Sequence, residues 1–383
     1  MYKKFKSLTP LSGFYIVHYG SVMNEHKGIY GISHLMEHLV CKGIFPLLED
    51  FERDGVSWNA YTSENMIVFY MTGLDRHINK WKKIFYERIQ EFNITEEVFQ
   101  NEKKIVIEEY KDSFNSQGDA HFLNLLRKLY GQYEAIGLLE DLESISLKNC
   151  QDYFELQFRK PTMIVEISQG IDPITDAFFE SIEYDKRDYI DKKLDFNIDP
   201  DFIYQEGNSY KDKSSIINLS EVVRDDFPKV NFLCRMLGGG LKSPFYEELR
   251  EKHGLVYFFG CYQMDITLNS SIIVLQTETS NENVQKVQDI ISEVLSNPEK
   301  YLTQERYNVT KEFYINKFEK ENILLFGNAV KLYYPSYLLL DNILEELTYD
   351  EILRIFKKYF NFSKFYKSID KEEFQKLKID DGF

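Results

Sequence analysis

The order of predicted strands and helices repeats along this chain, and the repeat is the strongest constraint on its fold. In each half, a strand is followed by helices, then by two neighbouring strands and then by further helices. The strands are predicted at residues 13–22, 56–63, 65–74 and 162–170 in the first half and at 214–219, 255–266 and 270–279 in the second. This pattern predicts an internal duplication of an α+β domain whose helices are grouped rather than strictly alternating with strands.

The length of the chain also favours two domains. At 383 residues it exceeds what one hydrophobic core usually supports. Residues 173–205 are polar and rich in Asp, and Pro200 interrupts them. We therefore predict an N-terminal domain at 1–172, a linker at 173–205 and a C-terminal domain at 206–383.

Charge and composition argue against several function classes. The chain has 62 acidic and 46 basic residues, a formal net charge of −16, whereas nucleic-acid binding requires concentrated Lys and Arg. No segment has the apolar length of a signal peptide or a membrane span. We expect no nucleic acid, no membrane and a cytoplasmic protein. The four cysteines lack the close spacing of a disulfide framework or a thiolate metal site.

Residues 31–40, GISHLMEHLV, contain a candidate metal site. On a helix, His34 and His38 are four residues apart and Glu37 is three residues after His34, so the three side chains share one face. Two imidazoles with this spacing can bind one Zn²⁺ and leave the glutamate beside the metal. The alternative is a surface helix whose histidines have no metal role.

A third ligand is available on the predicted helix at 95–115. Glu102 and Glu109 are seven residues apart and therefore lie on one face, two turns from each other. One of them would bind the metal, and the other could hold a histidine in place. The alternative is a charged, solvated face, but the apolar run from Ile105 to Ile107 indicates a partly buried helix.

Four segments together resemble the pitrilysin (insulinase) family of inverzincin metallopeptidases, of the mitochondrial processing peptidase type. The first three resemble the zinc helix, the substrate-binding strand and the second zinc helix of the family, and the fourth resembles the signature of its second domain. They are GSVMNEHKGIYGISHLMEHLVCKG (20–43), WNAYTSEN (58–65), NEKKIVIEEYKD (101–112) and LGGGLKSPFYEELREKHGLVYFFG (237–260). The resemblance covers most of the chain, in order.

The resemblance implies a duplicated fold in which each domain is an antiparallel-dominated β-sheet with helices packed on one side. It also implies one Zn²⁺ per chain. His34, His38 and Glu109 would be its ligands. Glu37 would be the general base that takes a proton from the attacking water, and Glu102 would be a supporting carboxylate. The residues before position 13 leave little room for the leading strand that the family usually has.

Substrate-binding residues follow from the same resemblance. Asn59 and Ala60 would lie on an edge strand to which an extended peptide adds as a further strand. Arg250 and Tyr257 would hold the substrate and help stabilise the developing oxyanion. Taken without the resemblance, the segment around Arg250 is typical of a helix end capped by glycine.

The implied function is a zinc-dependent endopeptidase that hydrolyses short or unfolded peptides in an enclosed chamber. Family members with a closed chamber use four such domains, and this chain supplies two. We therefore expect a homodimer, or else a heterodimer with a related chain. The acidic composition adds the hypothesis that basic peptides are favoured. The alternative is a non-catalytic relative that acts as a binding or assembly subunit of a processing complex.

Overall fold

A computed structural model describes residues 1–131, 134–170, 172–187, 203–206, 213–266, 270–324, 344 and 347–371. Contacts divide these residues into two compact units. The first consists mainly of Met1–Ser113 and the described part of Tyr130–Lys193. The second consists mainly of Phe114–Leu129 and the described part of Leu194–Asn316.

The first unit is built on a five-stranded sheet with the strand order β1-β5-β2-β4-β3. Its strands are β1 Tyr2–Lys6, β2 Leu11–Tyr19, β3 Ser57–Thr62, β4 Met66–Leu74 and β5 Met163–Ser168. Only β1 and β5 pair in parallel, and the other pairs are antiparallel. Its helices are α1 Ile32–Cys41, α2 Leu48–Asp54, α3 Asp75–Ile89, α4 Glu96–Asp112, α6 Leu139–Ser144, α7 Leu147–Gln157 and α8 Pro173–Ser181.

Apolar side chains of neighbouring strands form the core of this unit. Phe14 lies opposite Met71 and Ile16 lies opposite Phe69 in the antiparallel register of β2 and β4. All four side chains are fully buried and belong to one cluster with residues of the helices, among them Phe85 of α3. Side chains two residues apart on a strand point to the same sheet face, so Phe14 and Ile16 with their partners Met71 and Phe69 form the face that packs against the helices.

The second unit repeats this architecture. Its strands are β6 Ile203–Glu206, β7 Lys213–Val223, β8 Phe259–Asp265, β9 Ser270–Ser280 and β10 Tyr366–Lys371. The strand order β6-β10-β7-β9-β8 matches the first sheet position by position, and again only one pair, β6 with β10, is parallel. The helices are α9 Phe227–Gly238, α10 Val284–Ser296, α11 Pro298–Tyr301, α12 Gln304–Leu324 and α13 Tyr349–Tyr359, with a π-helical segment at Tyr246–Lys252. The predicted duplication of an α+β, antiparallel-dominated domain is confirmed.

Helix α5, Gln117–Tyr130, follows α4 directly in the sequence, but all of it except Tyr130 belongs to the second unit. Its His121 is fully buried, with Nδ1 2.9 Å from the Ser215 hydroxyl and Nε2 2.7 Å from the Ser368 hydroxyl. Gln117 donates a hydrogen bond to the carbonyl of Asp370 at 3.2 Å. These contacts attach α5 to β7 and β10.

Two sequence expectations differ from the observed elements. The leading strand is present as β1, because five residues are enough to pair with β5. Residues 173–181, inside the predicted linker, form α8, and Phe179 is fully buried 4.9 Å from the ring of Phe14. The domain boundaries at 1–172 and 206–383 stay a prediction.

In the part of the chain that the structure describes, no helix combines the length and the apolar character needed to cross a bilayer.

Candidate metal centre

Helix α1 presents one face to the core and another to the candidate site. The buried apolar side chains on this helix are Ile32, Leu35, Met36, Leu39 and Val40. The partly exposed face carries His34, Glu37 and His38, as the spacing within residues 31–40 predicts. Burial of the apolar face fixes the rotation of the helix, so the three polar side chains are held together.

The beginning of α1 is held by a buried carboxylate. The two oxygens of Glu25 accept hydrogen bonds from the backbone N–H groups of Gly31 and Ser33, each at 2.8 Å. N–H groups at this end of a helix have no partner within the helix itself. Gly31 has a φ of 95°, and a Cβ added at Gly137 would lie 2.4 Å from the Gly31 Cα. Glycine at both positions therefore permits the close approach that places α1.

His34, His38 and Glu109 converge on one point. Their potential ligand atoms all lie within 4.8 Å of one another. His34 Nε2 is 3.4 Å and His38 Nε2 is 3.6 Å from Glu109 Oε2, and the two rings are nearly perpendicular. This is the one such group of three found among the described residues.

The chemistry of this donor set fits a metal ion. Burial, with a smaller contribution from His38, lowers the pKa of His34 to about 4, so its imidazole is neutral, as metal binding requires. Two imidazoles and one carboxylate, with room for a fourth ligand, are the set that catalytic zinc sites use.

Glu37 lies beside this group and is held by strand β3. Thr62 Oγ1 donates a hydrogen bond to Glu37 Oε2 at 2.6 Å. Burial raises the pKa of the Glu37 carboxyl, while the hydrogen bond from Thr62 and the nearby His38 oppose that rise. A carboxylate that is partly desolvated and fixed by a hydroxyl is suited to accept a proton near neutral pH.

Glu102 contacts His38 from the side away from Glu109. Its Oε2 lies 3.4 Å from His38 Nδ1, and its Oε1 lies 2.6 Å from Lys42 Nζ. The Glu102 side chain is 7% exposed, whereas the Glu109 side chain is 44% exposed. The predicted pair of carboxylates on α4 is therefore divided, with Glu109 facing both histidine Nε2 atoms and Glu102 facing one Nδ1 atom.

Asn59 and Ala60 lie on β3, which is the edge strand of its sheet. Ala60 N–H donates to the side-chain oxygen of Asn59 at 2.9 Å. A cavity of about 350 Å³ opens here, lined by His34, Glu37, Ala60, Tyr61, Thr62, Ala135 and Ile136. The edge strand and the polar face of α1 therefore line one common cavity.

Arg250 and Tyr257 belong to the second unit and contact each other there. Arg250 Nη1 donates to the Tyr257 carbonyl at 3.0 Å, and its guanidinium carbon lies 4.7 Å from the centre of the Tyr257 ring. Tyr257 is 82% exposed. Gly254, with a φ of 58°, donates to the Arg250 carbonyl, so this segment also has the glycine-capped end that its sequence predicts.

Sequence reasoning missed Thr62, Lys42 and Glu25. Lys42 directly follows α1 and is four positions after His38, a spacing that places both side chains on one face of a helix. That signal was available. Thr62 and Glu25 reach the site through contacts between separate elements, for which the sequence has no comparable signal.

Two family models match the chain. Residues 13–140 match the model described as insulinase (peptidase family M16), and residues 174–313 match the model described as the peptidase M16 inactive domain. The chain belongs to the M16 peptidase family. The resemblance to insulinase-type metallopeptidases is confirmed.

Similar M16 sequences have names that include zinc protease. An uncharacterized zinc protease of Bacillus subtilis is 24% identical over 288 residues, which is 71% of this chain and 69% of that protein. An uncharacterized zinc protease of Rickettsia felis is 21% identical over 68% of this chain and 66% of its own length. The human mitochondrial-processing peptidase subunit beta is 24% identical over 38% of this chain and 32% of that protein. The chain thus aligns with about two thirds of the first two relatives.

Solved structures share the M16 fold. A protease from Helicobacter pylori superposes with a TM-score of 0.78 at 18% identity and covers 97% of this chain and 96% of that one. A peptidase M16 inactive domain from Pseudomonas fluorescens has a TM-score of 0.76 at 17% identity, with 97% and 95% covered. At this identity, the two structures establish the fold.

Proposed function

We propose that this chain is a zinc-dependent endopeptidase acting on short or unfolded peptides. The observation that carries the proposal is the group of His34, His38 and Glu109, with Glu37 beside it on the same helix as the two histidines. Membership of a family whose relatives are named zinc proteases supports it. The proposed stoichiometry is one Zn²⁺ per chain.

In this proposal His34, His38 and Glu109 hold the metal. Bound there, Zn²⁺ would polarise a peptide carbonyl and lower the pKa of a bound water to about 7. Glu37 is the general base: its carboxylate accepts a proton from the attacking water and passes it to the leaving amine. Thr62 fixes the orientation of that carboxylate through its hydrogen bond to Glu37 Oε2.

The substrate is proposed to add to the edge strand β3. An extended peptide beside Asn59 and Ala60 would pair with exposed backbone groups, displacing the Asn59 side chain from the Ala60 N–H. Because β3 also lines the cavity at Glu37, a peptide held there would pass the general base. Recognition through backbone groups predicts a broad sequence preference.

Arg250 and Tyr257 are proposed to hold the substrate chain and to stabilise developing negative charge on the carbonyl oxygen. A guanidinium and a phenol are suitable donors for this role. Two observations support the proposal: Tyr257 is exposed, and it contacts Arg250. Because the two side chains are neighbours, one ligand could contact both.

The assembly proposed is a homodimer, or else a heterodimer with a related chain. This chain has two duplicated units, whereas family members with an enclosed chamber use four. A second chain would supply the other two. A related sequence is named as a subunit, which also points to a partner chain. We further propose a cytoplasmic location and a preference for basic peptides.

The proposal is tested by zinc content and peptide turnover of the wild type and the Glu37→Gln variant. We expect Glu37→Gln to keep its zinc and to lose turnover about 10²- to 10⁴-fold, because it removes the base and leaves the ligands. Glu108→Gln is the matched control, since Glu108 is next to a ligand on α4 but its side chain is 67% exposed. It should behave as the wild type.

The second candidate is a non-catalytic binding or assembly subunit. The observation that favours it is the match of residues 174–313 to a model described as an inactive domain. A zinc-loaded, folded wild type without turnover on unstructured peptides would support this candidate and refute the peptidase proposal.

A further inference from the structure

Lys42 is the residue that follows α1, and its charged end reaches the carboxylate behind His38. Lys42 Nζ lies 2.6 Å from Glu102 Oε1, and it also lies 4.2 Å from the centre of the Phe45 ring. The side chain is 26% exposed. The ammonium is therefore held from two sides, by a carboxylate and by an aromatic face.

The two oxygens of Glu102 have different partners. Oε1 faces Lys42 and Oε2 faces His38 Nδ1. Since Glu102 is 5% exposed, solvent can do little to replace a lost cation, and a buried carboxylate without one is strongly unfavourable. Lys42 therefore fixes both the position and the charge balance of Glu102.

Glu102 is the carboxylate that faces His38 Nδ1, at 3.4 Å. A histidine whose Nδ1–H points at a carboxylate has its Nε2 lone pair free for a metal, with the ring angle fixed. His38 Nε2 is the atom that faces Glu109, and His34, His38 and Glu109 together form the proposed ligand group. A connected series thus runs from Lys42 through Glu102 to the proposed ligand atom of His38.

We propose that Lys42 is a positioning residue of the metal centre: its ammonium holds the Glu102 carboxylate against His38 Nδ1 and so directs His38 Nε2 toward the metal. The proposal rests on the proposed zinc site, and it concerns the affinity of that site rather than the peptide bond. Lys42 would contact neither the metal nor the substrate.

The test is the zinc affinity of the metal-free, full-length protein, measured by competition with a chromophoric chelator. We expect Lys42→Met to bind zinc about 10- to 100-fold more weakly, the usual effect of removing a group that orients a ligand. Lys42→Arg, which keeps a cation, should recover most of the affinity. Lys80→Met is the matched control, because Lys80 also lies 2.6 Å from a carboxylate, that of Asp54, and over an aromatic ring.

A double-mutant cycle tests whether Lys42 acts through Glu102. In a Glu102→Gln background the carboxylate is gone, so Lys42→Met should have no further effect on zinc affinity. The double variant also lacks the uncompensated buried charge of Lys42→Met, so the comparison holds even if that single variant folds poorly. Unchanged affinity in Lys42→Met, or a loss that persists in the Glu102→Gln background, would overturn the proposal.

The zinc measurement also separates this proposal from the peptidase proposal. Zinc binding without turnover in the wild type, together with a weakened Lys42→Met, would refute the peptidase proposal and support the role of Lys42. A wild type that binds no zinc at this centre would refute both.

Discussion

The hydrogen bond from Thr62 to Glu37 allows a quantitative prediction. Thr62→Val keeps the shape of the side chain and removes the hydroxyl that lies 2.6 Å from Glu37 Oε2. A hydrogen bond to a charged group contributes about 1.5–3 kcal/mol, and about 1.4 kcal/mol corresponds to a tenfold change in rate. If this bond holds the general base in its reactive orientation, kcat should fall about 10- to 100-fold.

The assay is steady-state cleavage of an unstructured fluorogenic peptide, with zinc content measured on the same samples. Zinc content and KM should stay close to the wild type, because the Thr62 hydroxyl donates to Glu37 and not to one of the three proposed ligands. Thr62→Ser keeps the hydroxyl and should retain most of the activity. If Thr62→Val had a kcat within twofold of the wild type, Thr62 would not position the base.

Two further predictions concern stability. Lys82→Met removes the cation that lies 2.9 Å from Glu166 in an ion pair with no exposed surface. It should lower the free energy of unfolding, measured in urea, by about 3 kcal/mol. This is the lower end of the range for broken buried pairs, because Lys4 remains 3.1 Å from Glu166. Lys83→Met, next to it but 47% exposed, should change that energy by less than about 1 kcal/mol. An equal effect of both would refute the argument. Burial lowers the pKa of His121 to about 4, so the contribution of His121 to the free energy of unfolding should be complete above its unfolded value of about 6.5 and fall by about 3 kcal/mol between pH 6.5 and 4, where only the unfolded state takes up the proton. His121→Asn should flatten this dependence, and an unchanged pH slope would contradict the prediction.

The fold was predictable where one short segment carries its own signal. Segments rich in aromatic and β-branched residues predicted β2, β3 and β4, and helices were predicted at α1 and α4, where Thr95 caps α4 by accepting a hydrogen bond from the Val98 N–H. Helix α8 was not predicted and lies within the expected linker, because its nine residues, PITDAFFES, are too few for a clear helical repeat, and Phe179 is buried through contacts with Phe14. Whether such a segment forms a helix is decided by its contacts with residues that are distant in the sequence.

The site was predictable to the same extent and for the same reason. His34, Glu37 and His38 lie on one helix, and Glu102 and Glu109 on another, so spacing within each helix indicates a shared face. What spacing does not show is how two helices meet. Spacing left open which of Glu102 and Glu109 would be the ligand, and the family resemblance implied Glu109. The structure places Glu109 Oε2 3.6 Å from His38 Nε2 and Glu102 Oε2 3.4 Å from His38 Nδ1, an arrangement that agrees with the proposed roles.

The duplicated architecture also bears on the proposed metal stoichiometry. Helix α9 follows β7 in the second unit as α1 follows β2 in the first, so the two helices occupy equivalent places in the order of elements. The sequence of α9, FPKVNFLCRMLG, contains no His, Asp or Glu, and its only thiol, Cys234, is buried. A helix without ligands at this place cannot hold the zinc that α1 is proposed to hold. The repeat therefore supports one zinc per chain, bound in the first unit, and leaves the second unit for the substrate contacts proposed for Arg250 and Tyr257.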